Sequence, residues 1–110
     1  MVLALAIDAD KFHDVFAADL PRSTTSVMAV SKRPVSASAF GDTASAAAWR
    51  TVPSWALVAT GDKAIAPALE RSEARRAGSH TVEVNSSHVA MISHPDLVTK
   101  LVKSAAAATG

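Results

Sequence analysis

Two residues in the second half of the chain have the types and spacing that acid–base chemistry needs. Asp62 follows an apolar run in the stretch WALVATGDKAIAP, residues 55 to 67, and His88 closes the later stretch AGSHTVEVNSSH. They are 26 residues apart (88 − 62 = 26), about the length of one strand–helix–strand repeat. On neighbouring parallel strands that spacing brings a carboxylate and an imidazole to one edge of the sheet. Ligands and catalytic groups of open α/β sheets gather there, beyond the carboxyl ends of the strands. A carboxylate in that place accepts the Nδ1–H of the imidazole and fixes its tautomer. It also stabilises the imidazolium that forms when Nε2 takes a proton. Taken singly, each residue has a plainer reading. Gly61-Asp62 is a common turn pair, and His88 alone reads as a loop histidine. The functional reading rests on the two together.

The elements that must position them follow from the flanking sequence. Trp55 to Thr60 is a nearly continuous apolar run, the pattern of a parallel strand covered on both faces. Pro67 to Ala77 predicts a helix stopped by Gly78, with Arg75 and Arg76 in the last turn, where positive charge suits the helix dipole. His80 to Val84 predicts a short strand, and Asn85 to His88 a loop. Pro95 opens a final helix whose buried stripe is Leu97, Val98, Leu101, Val102 and Ala105. Upstream, Val2 to Ile7 predicts a buried strand, and Asp8 an N-cap for a helix over about Ala9 to Ala18. That helix carries Phe12, Val15 and Phe16 on one face. Pro21 predicts the first position of a second helix, running to about Ser31 before Pro34, with Val27, Met28 and Val30 as its apolar side. Residues 35–49 predict a short helix followed by a loop with a turn at Gly41-Asp42. The strand–helix–strand–helix order of the second half is the signature of an α/β fold with parallel strands.

Composition removes several function classes. A chain of 110 residues is the size of one small domain, and 49% hydrophobic residues exclude a disordered tail. The net charge is +1 with scattered basic residues, which argues against a nucleic-acid surface. With no cysteine, there is no disulfide, thiolate metal site or cysteine nucleophile. The opening MVLALAI is too short to span a bilayer and has no basic flank or small-residue cleavage pattern. No membrane association and a cytoplasmic location are therefore expected.

The second half, with these residues and elements, resembles the C-terminal part of the α/β-hydrolase superfamily. It is similar to the branch of small bacterial esterases, plant hydroxynitrile lyases and methyl-ester esterases. In that family the acid lies in a D-x-x-I-x-P stretch after the seventh strand, matched here by Asp62-Lys63-Ala64-Ile65-Ala66-Pro67. The histidine lies after the eighth strand in an S-H or D-H loop before a P-x-x-(L/V) helix, matched by Ser87-His88 and by Pro95 to Val98. FHDVFAADLP resembles the family's cap segment. The resemblance implies a partial α/β-hydrolase fold, with a short parallel sheet flanked by helices and with N-terminal cap-like helices. Residues 1–50 would be the cap-like segment with a short strand, and residues 51–110 the core part. It also implies catalytic roles for Asp62 and His88, and no cofactor.

One departure limits that implication. Complete members carry a serine in a G-x-S-x-G elbow. Of the four glycines here, Gly41, Gly61, Gly78 and Gly110, none begins such a motif. The chain therefore looks like the C-terminal half of a serine esterase acting on carboxylic esters, with the nucleophile absent, and is expected to be inactive alone. An ester substrate is implied only if an N-terminal half completes the site. The alternatives are a non-catalytic binding or assembly module, which pairs through an exposed sheet edge with a second copy or a complementing chain, or a truncated gene product. Ester hydrolysis and lyase chemistry are not separated by these residues. The remaining candidates have plainer readings. Ser86 and Ser87 are poor substitute nucleophiles, because no oxyanion donors accompany them. His94 flanks a helix and His80 faces solvent. His13 with Asp10 and Asp14 is a polar cluster without a metal signature. Trp49 and Trp55 pack, and Arg71, Arg75 and Arg76 form a solvated face.

Overall fold

The computed structural model of the protein describes residues 3–110. Its elements run β1 (Ala4–Leu5), α1 (Ala9–Phe16), α2 (Arg22–Ser31), β2 (Val35–Ser36), β3 (Trp55–Ala59), α3 (Pro67–Ala77), β4 (His80–Val84), α4 (Ala90–Ser93) and α5 (Pro95–Thr109), with 3-10 turns at Ala37–Gly41 and Ala48–Arg50. This is a mixed α/β architecture of short sheets flanked by helices.

The sheet that carries the site is β3 and β4, parallel, in register from Trp55↔His80 to Ala59↔Val84. The apolar residues of β3 make it the covered strand, packed by both α3 and α5, with Val58 and Ala59 buried. Its crossover, α3, begins with Pro67 at the first helical position, where the missing N–H costs nothing. It ends at Gly78, whose φ of 66° is left-handed and whose N–H bonds to Ala74 O and Arg75 O. Ser79 N–H returns to Ala74 O at 3.0 Å, and the chain turns directly into β4. α3 is further tied to β4 by Arg71, whose guanidinium grips Glu83 with contacts of 2.7 to 3.2 Å. Arg76 and Arg50 both lie over the Trp49 ring. The face expected to be merely solvated is therefore partly engaged: Arg71 is an ion-pair partner and Arg76 a packing residue. His80 is exposed, with its ring 4.8 Å from that of Trp55.

The first half differs from expectation in several places. The described part of the strand expected over Val2–Ile7 is only Ala4–Leu5, and Val2 lies outside the described residues. Both residues of β1 are exposed, and β1 pairs antiparallel with β2. β1 is thus not a buried strand, because among the described residues its sheet has only these two short strands and neither covers the other's faces. α1 stops at Phe16 rather than Ala18, since Ala17 leaves helical geometry (φ −147°). Asp8 stands at its N-cap position without a side-chain cap bond, and Pro21 is the residue before α2 rather than its first. Of the expected apolar side of α2, only Met28 is half-buried. Val27 and Val30 are exposed, while Thr25 and Ala29 are buried. Thr25 Oγ1 meets His13 Nδ1 at 2.9 Å and also donates to Arg22 O, so a threonine is satisfied at the buried contact between α1 and α2. Residues 35–41 form β2 and a 3-10 turn where a short helix was expected. On α5, Leu97, Val98, Leu101 and Ala105 are half-buried, but Val102 is exposed.

Candidate functional site

The ladder between β3 and β4 does not stop at the last paired residues. Thr60 N–H bonds to Val84 O at 2.8 Å and Gly61 N–H to Ser86 O at 3.0 Å. These bonds carry the two chains side by side into the loops that hold Asp62 and His88. Gly61 sits close enough to the facing loop that a Cβ on it would lie 3.0 Å from Ser86 O. The main chains therefore approach closely enough that a Cβ at this position would require the Ser86 loop to shift by a few tenths of an ångström.

Beyond this crossing, His88 Nδ1 lies 2.7 Å from Asp62 Oδ2. The other carboxylate oxygen, Oδ1, accepts the N–H groups of Ala64 (2.8 Å) and Ile65 (2.9 Å) in the turn that leads into α3. The Asp62 side chain is 2% exposed and that of His88 29%. Burial pushes the Asp62 carboxyl upward, but hydrogen bonds from the Ile65 N–H, His88 and the Ala64 N–H outweigh it and hold it below the ordinary carboxylate range. Asp62 is thus an ionised acceptor, and the imidazole donates from Nδ1. Nε2 has no hydrogen-bond partner among the described residues. The Phe16 ring lies against the imidazole with centroids 4.7 Å apart, and Phe12 backs Phe16 at 5.0 Å. The ring is therefore fixed by an acid on one side and an aromatic face on the other. Such an imidazole can accept a proton at Nε2 while the acid behind it stabilises the resulting charge.

Two further acids belong to the surroundings. Glu70, in the first turn of α3, is raised above its ordinary pKa by burial first and by the charge of Asp62 second, and its Oε2 is buried without a hydrogen-bond partner. Asp19, just beyond α1, accepts the Ser87 N–H at 3.0 Å and the Ser93 hydroxyl at 2.8 Å. Neither was singled out from sequence. For Asp19 a weak signal existed: an acid just beyond a helix C-terminus opposes the dipole and so calls for partners elsewhere. Glu70 looked like an ordinary first-turn acid.

The other candidates lie apart from this pair. The Ser86 hydroxyl donates to Ser87 O (3.0 Å) or to Asp19 (3.4 Å), and the Ser87 hydroxyl is buried without a hydrogen-bond partner among the described residues. Neither bonds to His88. His94 Nε2 meets Asn85 O at 3.1 Å. His13 is engaged by Thr25, and Asp14 pairs at 3.6 Å with Arg22. Among the described residues no group of three or more His, Asp or Glu is placed to hold a metal ion, and no helix is long and apolar enough to cross a membrane. Phe16 also lines a groove of about 530 Å³ with Leu5, Ile7, Phe12, Met28 and Val35, and Lys32 and Arg33 reach it as well.

Comparison with known families gives one match. A family model described as "Alpha/beta hydrolase family" matches residues 3–101, nearly the whole chain. No curated protein and no solved structure matches the chain.

Proposed function

The chain belongs to the alpha/beta hydrolase family, and from that premise we propose that Asp62 and His88 are the acid and general base of a serine-hydrolase triad acting on carboxylic esters. The observation that carries this reading is the 2.7 Å bond from His88 Nδ1 to a buried, doubly hydrogen-bonded carboxylate, with Nε2 left without a partner among the described residues. In the reaction a serine Oγ bonds to the ester carbonyl carbon as its proton passes to His88 Nε2. The imidazolium, held by Asp62, then gives that proton to the departing alkoxide. Water repeats the sequence on the acyl-serine. The apolar groove beside Phe16 suits an ester with an apolar acyl or alcohol group.

The serine of this proposal comes from outside the chain. No G-x-S-x-G elbow is present, and the hydroxyls of Ser86 and Ser87 make no bond to His88. The 110 residues alone are then inactive, because loss of the nucleophile removes covalent catalysis. The test is hydrolysis of a short-chain aryl ester by the purified chain. No turnover above the uncatalysed rate is expected, and robust turnover abolished by His88→Ala would refute the inactivity.

A second reading, an assembly module, draws on the open edge of β3. Ser54 O and Thr60 N–H point to β4, so by the alternation of the ladder the backbone groups of Trp55 and Leu57 point away from it. Among the described residues no strand pairs with that side. An unpaired edge beside the site invites a strand of a complementing chain or a second copy. Light scattering on the eluting chain separates the cases: a stable monomer at high concentration counts against assembly.

A further inference from the structure

We infer that Asp19 is a positioning residue for His88, acting as a carboxylate staple across the loop that carries it. Its two oxygens bind on either side of the histidine. Oδ2 accepts the N–H of Ser87, the residue before His88, at 3.0 Å. Oδ1 accepts the hydroxyl of Ser93, the last residue of α4, at 2.8 Å. The Ser86 hydroxyl lies 3.4 Å from Oδ2 as well. The loop between the two anchor points therefore has both ends tied to one carboxylate, and that carboxylate belongs to a segment 67 to 74 residues earlier in the chain.

The same connection joins the two halves of the molecule at the site. α1 supplies Phe16 against the imidazole, and the turn after it, through buried Ala17, supplies Asp19. The ring and the loop that bears it are thus held by one short stretch, Phe16 to Asp19. Asp62 fixes Nδ1 from the opposite side. A hydrogen bond to Asp62 sets the distance of one ring atom. It does not stop the loop from pivoting about that bond, and the two anchors at Asp19 do. Asp19 is suited to this as a permanent anion. Burial pushes its pKa up, but hydrogen bonds from Ser87 and Ser93 outweigh that and bring it to about 2, so the staple stays closed through the neutral range.

This inference deepens the reading of Asp62 and His88 as a working pair, and its test is independent of turnover. The full chain is labelled with ¹⁵N, and exchange of the His88 Nδ1–H with water is followed by NMR at neutral pH. The backbone N–H of Val58, buried in β3 and within its ladder to β4, serves as the internal reference. In Asp19→Ala the His88 Nδ1–H is expected to exchange about tenfold faster or more, the change that loss of one charge-assisted hydrogen bond brings. The Val58 N–H should be unmoved. Asp19→Asn, which keeps one acceptor oxygen, and Ser93→Ala, which removes a single anchor, should fall between. A folded Asp19→Ala whose His88 exchange stays within about twofold of the parent overturns the inference, since one lost bond exceeds that. So does a change in which the Val58 N–H moves equally, because that is general loosening. Where Asp19→Ala does not fold, Ser93→Ala decides on the same two criteria. None of these outcomes depends on whether the chain hydrolyses esters.

Discussion

Replacing Asp62 by asparagine keeps the shape of the side chain and removes its charge, which isolates what the ionised acid contributes. Asp62 accepts three hydrogen bonds, from the N–H groups of Ala64 and Ile65 and from His88. A charge-assisted bond contributes roughly 1.5–3 kcal/mol and a neutral one roughly 0.5–1.5 kcal/mol, so about 1 kcal/mol is lost per bond. The amide oxygen can keep the two backbone bonds in neutral form. The amide NH₂ then faces Nδ1, so the third bond survives only if the imidazole moves its proton to Nε2. Against this loss stands the relief of no longer burying a charge in a side chain that is 2% exposed. The net expectation is about 1–2 kcal/mol of destabilisation at pH 7, or a Tm lower by roughly 4–12 °C. The pH dependence fixes the cause. The folded-state pKa of Asp62 is depressed below the ordinary 3.8, so its stabilisation is present above that value and is lost as pH falls through the folded pKa. Urea unfolding of parent and variant should show the full difference at pH 7 and a smaller one at pH 3. Nitrogen-15 spectra should show His88 moving from the Nδ1–H to the Nε2–H tautomer. An equal difference at both pH values, or an Nδ1–H tautomer that persists in the variant, would refute the assignment of Asp62 as an ionised acceptor.

Two further substitutions probe the surroundings. Gly61→Ala places a Cβ 3.0 Å from Ser86 O, where the main chains cross and the Ser86 loop must give by a few tenths of an ångström; about 1 kcal/mol of destabilisation, the low end for overpacking, is expected, whereas Gly41→Ala, with open space around it, should be near neutral, and equal unfolding midpoints for the two would contradict the close approach. Glu70→Gln removes a carboxyl whose pKa is raised by burial and by Asp62. Such a group costs stability as pH rises through its folded pKa, so the variant should gain a few degrees in Tm at pH 8 and almost nothing at pH 4; a lower Tm at pH 8 would overturn this.

The parts of the fold that position the site were the parts written in local sequence. Pro67 and Gly78 bracket α3 as a first-position proline and a left-handed C-terminal glycine must, and the unbroken apolar run of Trp55 to Ala59 marks a strand covered on both faces. What failed was the assumption that every apolar stripe has a partner. Val27 and Val30 of α2 and Val102 of α5 lie on faces that no other described element covers, so their hydrophobicity says nothing about where the core is. The buried face of α2 is set instead by Thr25, which a hydropathy pattern ranks as polar and which is buried because His13 and Arg22 O satisfy its hydroxyl. Glu70 and Asp19 escaped for the related reason that their partners are distant in sequence. Nothing around Asp19 in FAADLP names Ser87 or Ser93.

The contacts around His88 form a hierarchy that a sheet alone does not provide. The β3–β4 ladder and the close approach at Gly61 bring the two loops together, and they depend only on backbone and on the absence of one side chain. Asp62 then fixes the ring through one atom, and is itself fixed by two N–H groups at the entrance to α3, so its aim is tied to a helix rather than to a free loop. Phe16 and Asp19 add constraints from α1 and the turn that follows it, a separate part of the chain whose place depends on packing rather than on the ladder. A perturbation of α1 should therefore loosen the ring while leaving the sheet intact, whereas one at Gly61 should disturb both. This ordering is why Asp19 can act on the imidazole without defining the fold, and why a change at Asp62 that removes the oxygen accepting from Ala64 and Ile65 also disturbs the turn that starts α3.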